Sequence, residues 1–195
     1  MSKLFFPATA MPDADWWQAL WSDPGCALRK LGFKPEMSVV DLCCGDGHFT
    51  AVLAKMLNGP VYALDIDPSL LAQAKARSCE PVIWIESDAR ELPERVDSLV
   101  DVVFIANTFH GVPEQTGLAK AVGKVLKPGG LFMVVNWHVA GREDTPVLGQ
   151  PRGPRRELRM SPIEVAKKVE PAGLELIRVI ELPPYHYGAI FQKPA

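Results

Sequence analysis

Val39-Val40-Asp41-Leu42-Cys43-Cys44-Gly45-Asp46-Gly47-His48-Phe49-Thr50 is the stretch that decides the fold. An apolar run ends in an acid, a tight turn with two glycines follows, and an amphipathic helix opens behind it. Glycine suits such a turn because it adopts positive φ and lets a ligand approach the backbone more closely than a Cβ permits. Asp65 ends the next apolar run, 20 positions beyond Gly45, where its carboxylate can accept both ribose hydroxyls of a nucleoside. That spacing suits NAD too. Asp41 lies four residues before Gly45, no glycine stands at position 43, and Thr50 holds the place of the third dinucleotide glycine. An aspartate at the turn repels a pyrophosphate and attracts a cation.

Outward from this turn, short apolar runs alternate with helical segments, the pattern of a parallel sheet with helices on both faces. Strands are expected at Ser38–Leu42, Val61–Ile66, Pro81–Ile85, Leu99–Ala106 and Leu131–Trp137, each apolar enough to be buried on both faces. Asp67-Pro68 caps a helix over Ser69–Arg77, and Ser161-Pro162 with Glu164 forms a capping box for Ile163–Pro171, which Gly173 terminates. Leu174–Leu182 and Gly188–Gln192, joined through Pro183-Pro184-Tyr185-His186-Tyr187, form an antiparallel pair. The expectation is an α/β doubly wound, Rossmann-like sheet of seven strands, mostly parallel, with the last antiparallel.

Asp13–Leu31 carries Trp16, Trp17, Leu20, Trp21 and Leu28 at helical spacing and reads as two short helices broken at Pro24-Gly25. Gly141–Arg159, with five arginines and three prolines, reads as an irregular loop. The 195 residues form a single domain: a helical cover (1–36), a core (37–138), and a loop, helix and hairpin (139–195).

With 21 basic and 23 acidic residues, a net charge of −2, there is no positive field for nucleic acid or an anionic membrane. No window reaches the apolar length of a membrane span, and Met1–Met11 lacks the features of a leader. Cys26, Cys43, Cys44 and Cys79 contain no Cys-x-x-Cys pair, so reduced thiols in the cytoplasm are expected. Asn107 and Asn136 at the ends of the fourth and fifth strands, in place of carboxylates, predict no metal.

Further motifs follow in order: Ala63-Leu64-Asp65-Ile66-Asp67, Ser87-Asp88-Ala89-Arg90-Glu91-Leu92-Pro93, Val100–Asn107 and Leu126-Lys127-Pro128-Gly129-Gly130-Leu131. In these, together with the turn at 39–47, the chain resembles the class I S-adenosylmethionine (SAM) dependent methyltransferases of the small-molecule type. Cys43, where a glycine is usual, is the departure. The resemblance implies that Asp41, Cys43, Gly45 and Gly47 hold the amino-acid end of SAM, Asp65 its ribose and Ile66 one adenine face. It also implies that Asp88 and Ala89 hold the adenine edge, with Asn107 beside the sulfonium. Methyl transfer to an acceptor that sheds a proton benefits from a base, for which His110 and His138 are the candidates, with Tyr185 and His186 behind them. Asn107-Thr108-Phe109-His110 differs from the family's Asn-Pro-Pro-aromatic signature, which disfavours DNA adenine and glutamine acceptors. A small-molecule acceptor is expected, with no nucleic-acid or membrane partner. An NAD-dependent oxidoreductase and a non-catalytic SAM-binding module are the alternatives.

Overall fold

The computed structural model describes residues 11–195. Most of Met1–Met11, on which the absence of a leader was read, and the first ten residues of the helical cover lie outside the described residues. The central sheet has the order β3-β2-β1-β4-β5-β9-β8, built from β1 (Val39–Leu42), β2 (Val61–Asp65), β3 (Ile83–Glu86), β4 (Val100–Ala106), β5 (Leu126–Trp137), β8 (Glu175–Leu182) and β9 (His186–Gln192). A two-residue ribbon, β6 (Pro146–Val147) with β7 (Gln150–Pro151), stands apart from it. Strands β1 to β5 run parallel, and β9 is antiparallel to both β5 and β8. From β1 the chain winds outward to β3, then returns to start β4 on β1's other side. A crevice opens at that reversal.

Helices α1 (Ala14–Leu20), α2 (Pro24–Leu31) and α3 (Thr50–Met56) cover one face of the sheet, and α5 (Leu92–Arg95), α6 (Gln115–Val125) and α7 (Pro162–Val169) the other. The strand pleat divides the core between them: Val103 and Ile105 of β4 join Phe132, Leu118 and Val169, while Val102 and Phe104 join Leu28, Leu53 and Trp137. Each such fully buried side chain contributes about 1.5–3 kcal/mol of transfer free energy. α4 (Pro68–Arg77) starts at Asp67, whose carboxylate accepts the Ser69 and Leu70 amides, and the Ser161–Glu164 capping box starts α7.

Several expectations are corrected. β3 is an edge strand with exposed ends and partly buried Trp84 and Ile85, because among the described residues nothing pairs beyond it, although Ile85 packs against the core on the α5–α6 face. β5 begins at Leu126 rather than Leu131: the Gly129-Gly130 bend stays tied to the sheet, the Gly129 amide donating to the Lys193 carbonyl and the Lys193 amide to Gly130. His186 and Tyr187 belong to β9, not to the connection. The N-terminal helices part at Trp21-Ser22-Asp23, and Pro24 starts α2 because Asp23 caps it by accepting the Cys26 amide. Among the described residues no helix is long and apolar enough to cross a membrane.

Candidate active site

β1 is buried along its whole length and delivers Asp41 to the crevice. The turn that follows has Cys43, Gly45 and Gly47 at φ 60°, 57° and 79°. Cys43 therefore occupies a conformation that favours glycine, at a cost on the order of 1 kcal/mol. The Gly45 amide donates to Asp65 Oδ2 at 2.7 Å, and the Asp67 amide to Oδ1 at 3.0 Å, so the β2 acid also ties the turn to β2. Gly47 does something different. A Cβ there would lie 2.8 Å from that of Ala74, so the glycine lets the start of α3 pack on α4.

A cavity of about 540 Å³ opens at the carboxyl ends of β1 to β5. Of the residues expected at the cofactor, Asp41, Cys43, Gly45, Asp65, Ile66, Asp88, Ala89 and Asn107 line it, and Gly47 does not. Asp41 is buried, accepts the Thr50 hydroxyl at 2.6 Å, and has its pKa pushed up to about 7. Burial is the main cause and Asp65 adds repulsion, while the Thr50 hydroxyl opposes them. Thr50, in the place of the third dinucleotide glycine, is thus the partner of the acid. Burial also raises Asp65, against the pull of the backbone amides it accepts. The Cys43 and Cys44 thiols are pushed upward by burial and by these carboxylates, which keeps them protonated.

Asp88 caps the turn after β3 and accepts Arg90 Nε and an Arg90 terminal nitrogen at 2.9 and 2.6 Å. Asn107, at the tip of β4, has φ 60° and a buried side-chain amide for which no hydrogen bond is found among the described residues. Left-handed backbone and an unsatisfied buried amide both cost stability. His110 lines the cavity from the short 3₁₀ turn after β4, its pKa lowered by burial despite Asn136 beside it. His138 lies outside the wall, its Nε2 2.8 Å from Glu181 Oε2. Tyr185 donates to the Pro146 carbonyl, and His186 is buried between Trp21 and Trp137; neither lines the cavity.

The cover joins α1 to the loop after β5. Trp16 and Trp17 line the cavity, and the Arg152 guanidinium carbon lies 5.2 Å from the centre of the Trp16 ring. Buried Arg159 holds the loop closed by donating to the carbonyls of Pro154, His138 and Arg152 and to the Thr145 hydroxyl. Sequence reasoning did not single out Trp137 or Asp46, both in the wall, and it treated the arginines as one group. The signal available for them was only their place at or just beyond strand ends.

The profile of a family described as "Methyltransferase domain" matches residues 39–130. The demethylmenaquinone methyltransferase of Staphylococcus aureus (strain MRSA252) is 33% identical over 110 residues, 54% of this chain and 45% of that protein. The match thus spans less than half of that relative's length. A SAM-dependent methyltransferase from Aquifex aeolicus superposes with a TM-score of 0.75 at 26% identity, over 92% of this chain and 93% of that one. A TehB-like SAM-dependent methyltransferase from Corynebacterium glutamicum shares the fold, with a TM-score of 0.65 at 18% identity over 92% and 95% of the two chains.

Proposed function

We propose that this chain, which belongs to the class I SAM-dependent methyltransferase family, moves the methyl group of SAM to a small organic acceptor. The observation that carries the reading is convergence: two buried acids from β1 and β2 and the unsatisfied Asn107 amide face one cavity beside a turn with a bare backbone. Those residues suit a nucleoside bearing positive charge. When bound, SAM supplies a methyl group on a sulfonium, already activated for displacement. The chain's part is to bind, align and exclude water.

Asp41 and the Gly45 backbone hold the amino-acid end, Asp65 the ribose hydroxyls, Ile66 an adenine face, and Asp88 and Ala89 the adenine edge. Asn107 lies beside the reacting centre. His110 is neutral at physiological pH because burial lowers its pKa, so it can take the proton that the acceptor atom sheds. His138 is the weaker candidate, since Glu181 engages it on the far side of the wall. A small acceptor is supported by the size of the cavity and its cover, and by the S. aureus relative, whose name gives demethylmenaquinone as what it methylates.

Calorimetry with S-adenosylhomocysteine and NAD tests this reading. We expect the first to bind and NAD not to. Asp65→Ala should cost about 1–3 kcal/mol of affinity by removing charge-assisted hydrogen bonds. Tight NAD binding without an S-adenosylhomocysteine signal would defeat the assignment.

A further inference from the structure

Most of the acids that line the cavity follow β1, β2 and β3, whereas two of its three arginines follow β5. Asp41, Asp46, Asp65, Asp67 and Asp88 line it from the tips of β1, β2 and β3, with Asp13 joining from the start of α1. Beyond the tips of β4 and β5 the wall holds His110, Trp137, Arg142 and Arg152 and no carboxylate. A third arginine, Arg90, belongs to the acidic side, where Asp88 neutralises it.

Arg142 and Arg152 have no such partner. Among the described residues neither is in an ion pair. Arg142 makes one long contact, 3.4 Å to the Pro151 carbonyl, while Arg152 Nε is buried without an acceptor. Arg159 of the same loop behaves differently, its guanidinium being taken up by carbonyls and a hydroxyl. One arginine of the loop therefore latches it, and two present unspent donors to the cavity. Two like charges on one wall repel, and an anion between them relieves that repulsion. The guanidinium fork matches a carboxylate or phosphate.

The indoles beside these donors are already covered, Trp16 by the Arg152 guanidinium and Trp137 by Gly153, Arg159 and Tyr185. Resting on the methyltransferase reading above, we infer that the acceptor is a small molecule carrying a carboxylate or phosphate, which Arg152 and Arg142 clamp at the loop end of the cavity. The acids at the tips of β1, β2 and β3 repel that anion. The acceptor is thereby oriented with its charged end under the loop and its other end toward His110 and Asn107.

The test uses the full chain saturated with S-adenosylhomocysteine and three probes followed by fluorine NMR: 4-fluorobenzoate, 4-fluorophenyl phosphate and neutral 4-fluorobenzamide. We expect one anion to bind at least about tenfold more tightly than the amide, the stronger of the two identifying the acidic group. Arg152→Gln should remove that preference while leaving S-adenosylhomocysteine and amide affinities unchanged, and Arg142→Gln should weaken it. The ranking on the unmodified chain and the Arg142→Gln result decide the matter if Arg152→Gln proves unstable by its melting temperature. Equal binding of amide and anions, or no binding of any probe, overturns the inference. So does an Arg152→Gln variant that loses S-adenosylhomocysteine but keeps the preference, which would assign the arginine to the cofactor's own carboxylate. Failure of S-adenosylhomocysteine itself to bind sinks the methyltransferase reading first, and this inference with it.

Discussion

On the proposed reading, Asp41 links cofactor binding to pH. Its carboxyl is held near 7, chiefly because burial strips it of water, whereas pairing with an ammonium requires it ionised. At pH 6 only about one Asp41 in ten is ionised, so affinity for S-adenosylhomocysteine should be about tenfold below its plateau, or about 1.4 kcal/mol. At pH 5 the deficit should approach about a hundredfold. Calorimetry in two buffers with different heats of ionisation counts the protons: close to one released at pH 6, about half at pH 7, and few at pH 7.5 and above. The ligand's own ammonium, that of a free amino acid, titrates on the alkaline side of this window and sets its upper limit. Thr50→Val removes the hydroxyl that favours the charged form and should move the midpoint upward.

The free protein reports the same group with its own sign. A folded-state pKa raised from 3.8 to about 7 contributes stability that is full below pH 3.8 and is lost as pH rises through 7, on the order of 4 kcal/mol in all. Asp41→Asn should abolish that falling limb in denaturant titrations. Affinity that stays flat from pH 6 to 7.5, with no proton exchange and a folded protein, would refute the reasoning.

His110→Asn should lower the methyl-transfer rate by about a hundredfold or more, without changing S-adenosylhomocysteine affinity, for an acceptor that sheds a proton. Burial holds His110 below its ordinary 6.5, so the unmodified chain's rate should fall only on the acid side of that value, and this limb should vanish in the variant. Gly47→Ala forces a Cβ against Ala74 at a left-handed backbone position and should cost about 1–3 kcal/mol, lowering the melting temperature by several degrees. S-adenosylhomocysteine binding by that folded variant should be nearly unchanged, because Gly47 lies outside the cavity wall.

What was readable beforehand was local. The caps at Asp67 and Ser161 appear where their side chains reach amides two or three residues on, and the parallel strands appear where apolar runs alternate with helices. Most of the expected cofactor set, from Asp41 to Asn107, meets at one cavity, since strand ends at a topological reversal converge whatever the side chains are. Gly47 was grouped with Gly45 because both are turn glycines. Its contact with Ala74, 27 positions away, is invisible to spacing. His138 follows β5 as His110 follows β4, yet the neighbouring hairpin turns it to Glu181.

The order of residues along the chain, then, determined the winding of the sheet and the acids its turns would carry, because φ, capping and strand period are properties of a few neighbouring residues. Tertiary packing alone decided that β3 would be an edge, that Asp41 would lose its water and hold its proton up to about pH 7, and that two arginines from a distant loop would join the cavity wall. Desolvation and charge placement depend on what arrives from far along the chain, and no local pattern carries that information.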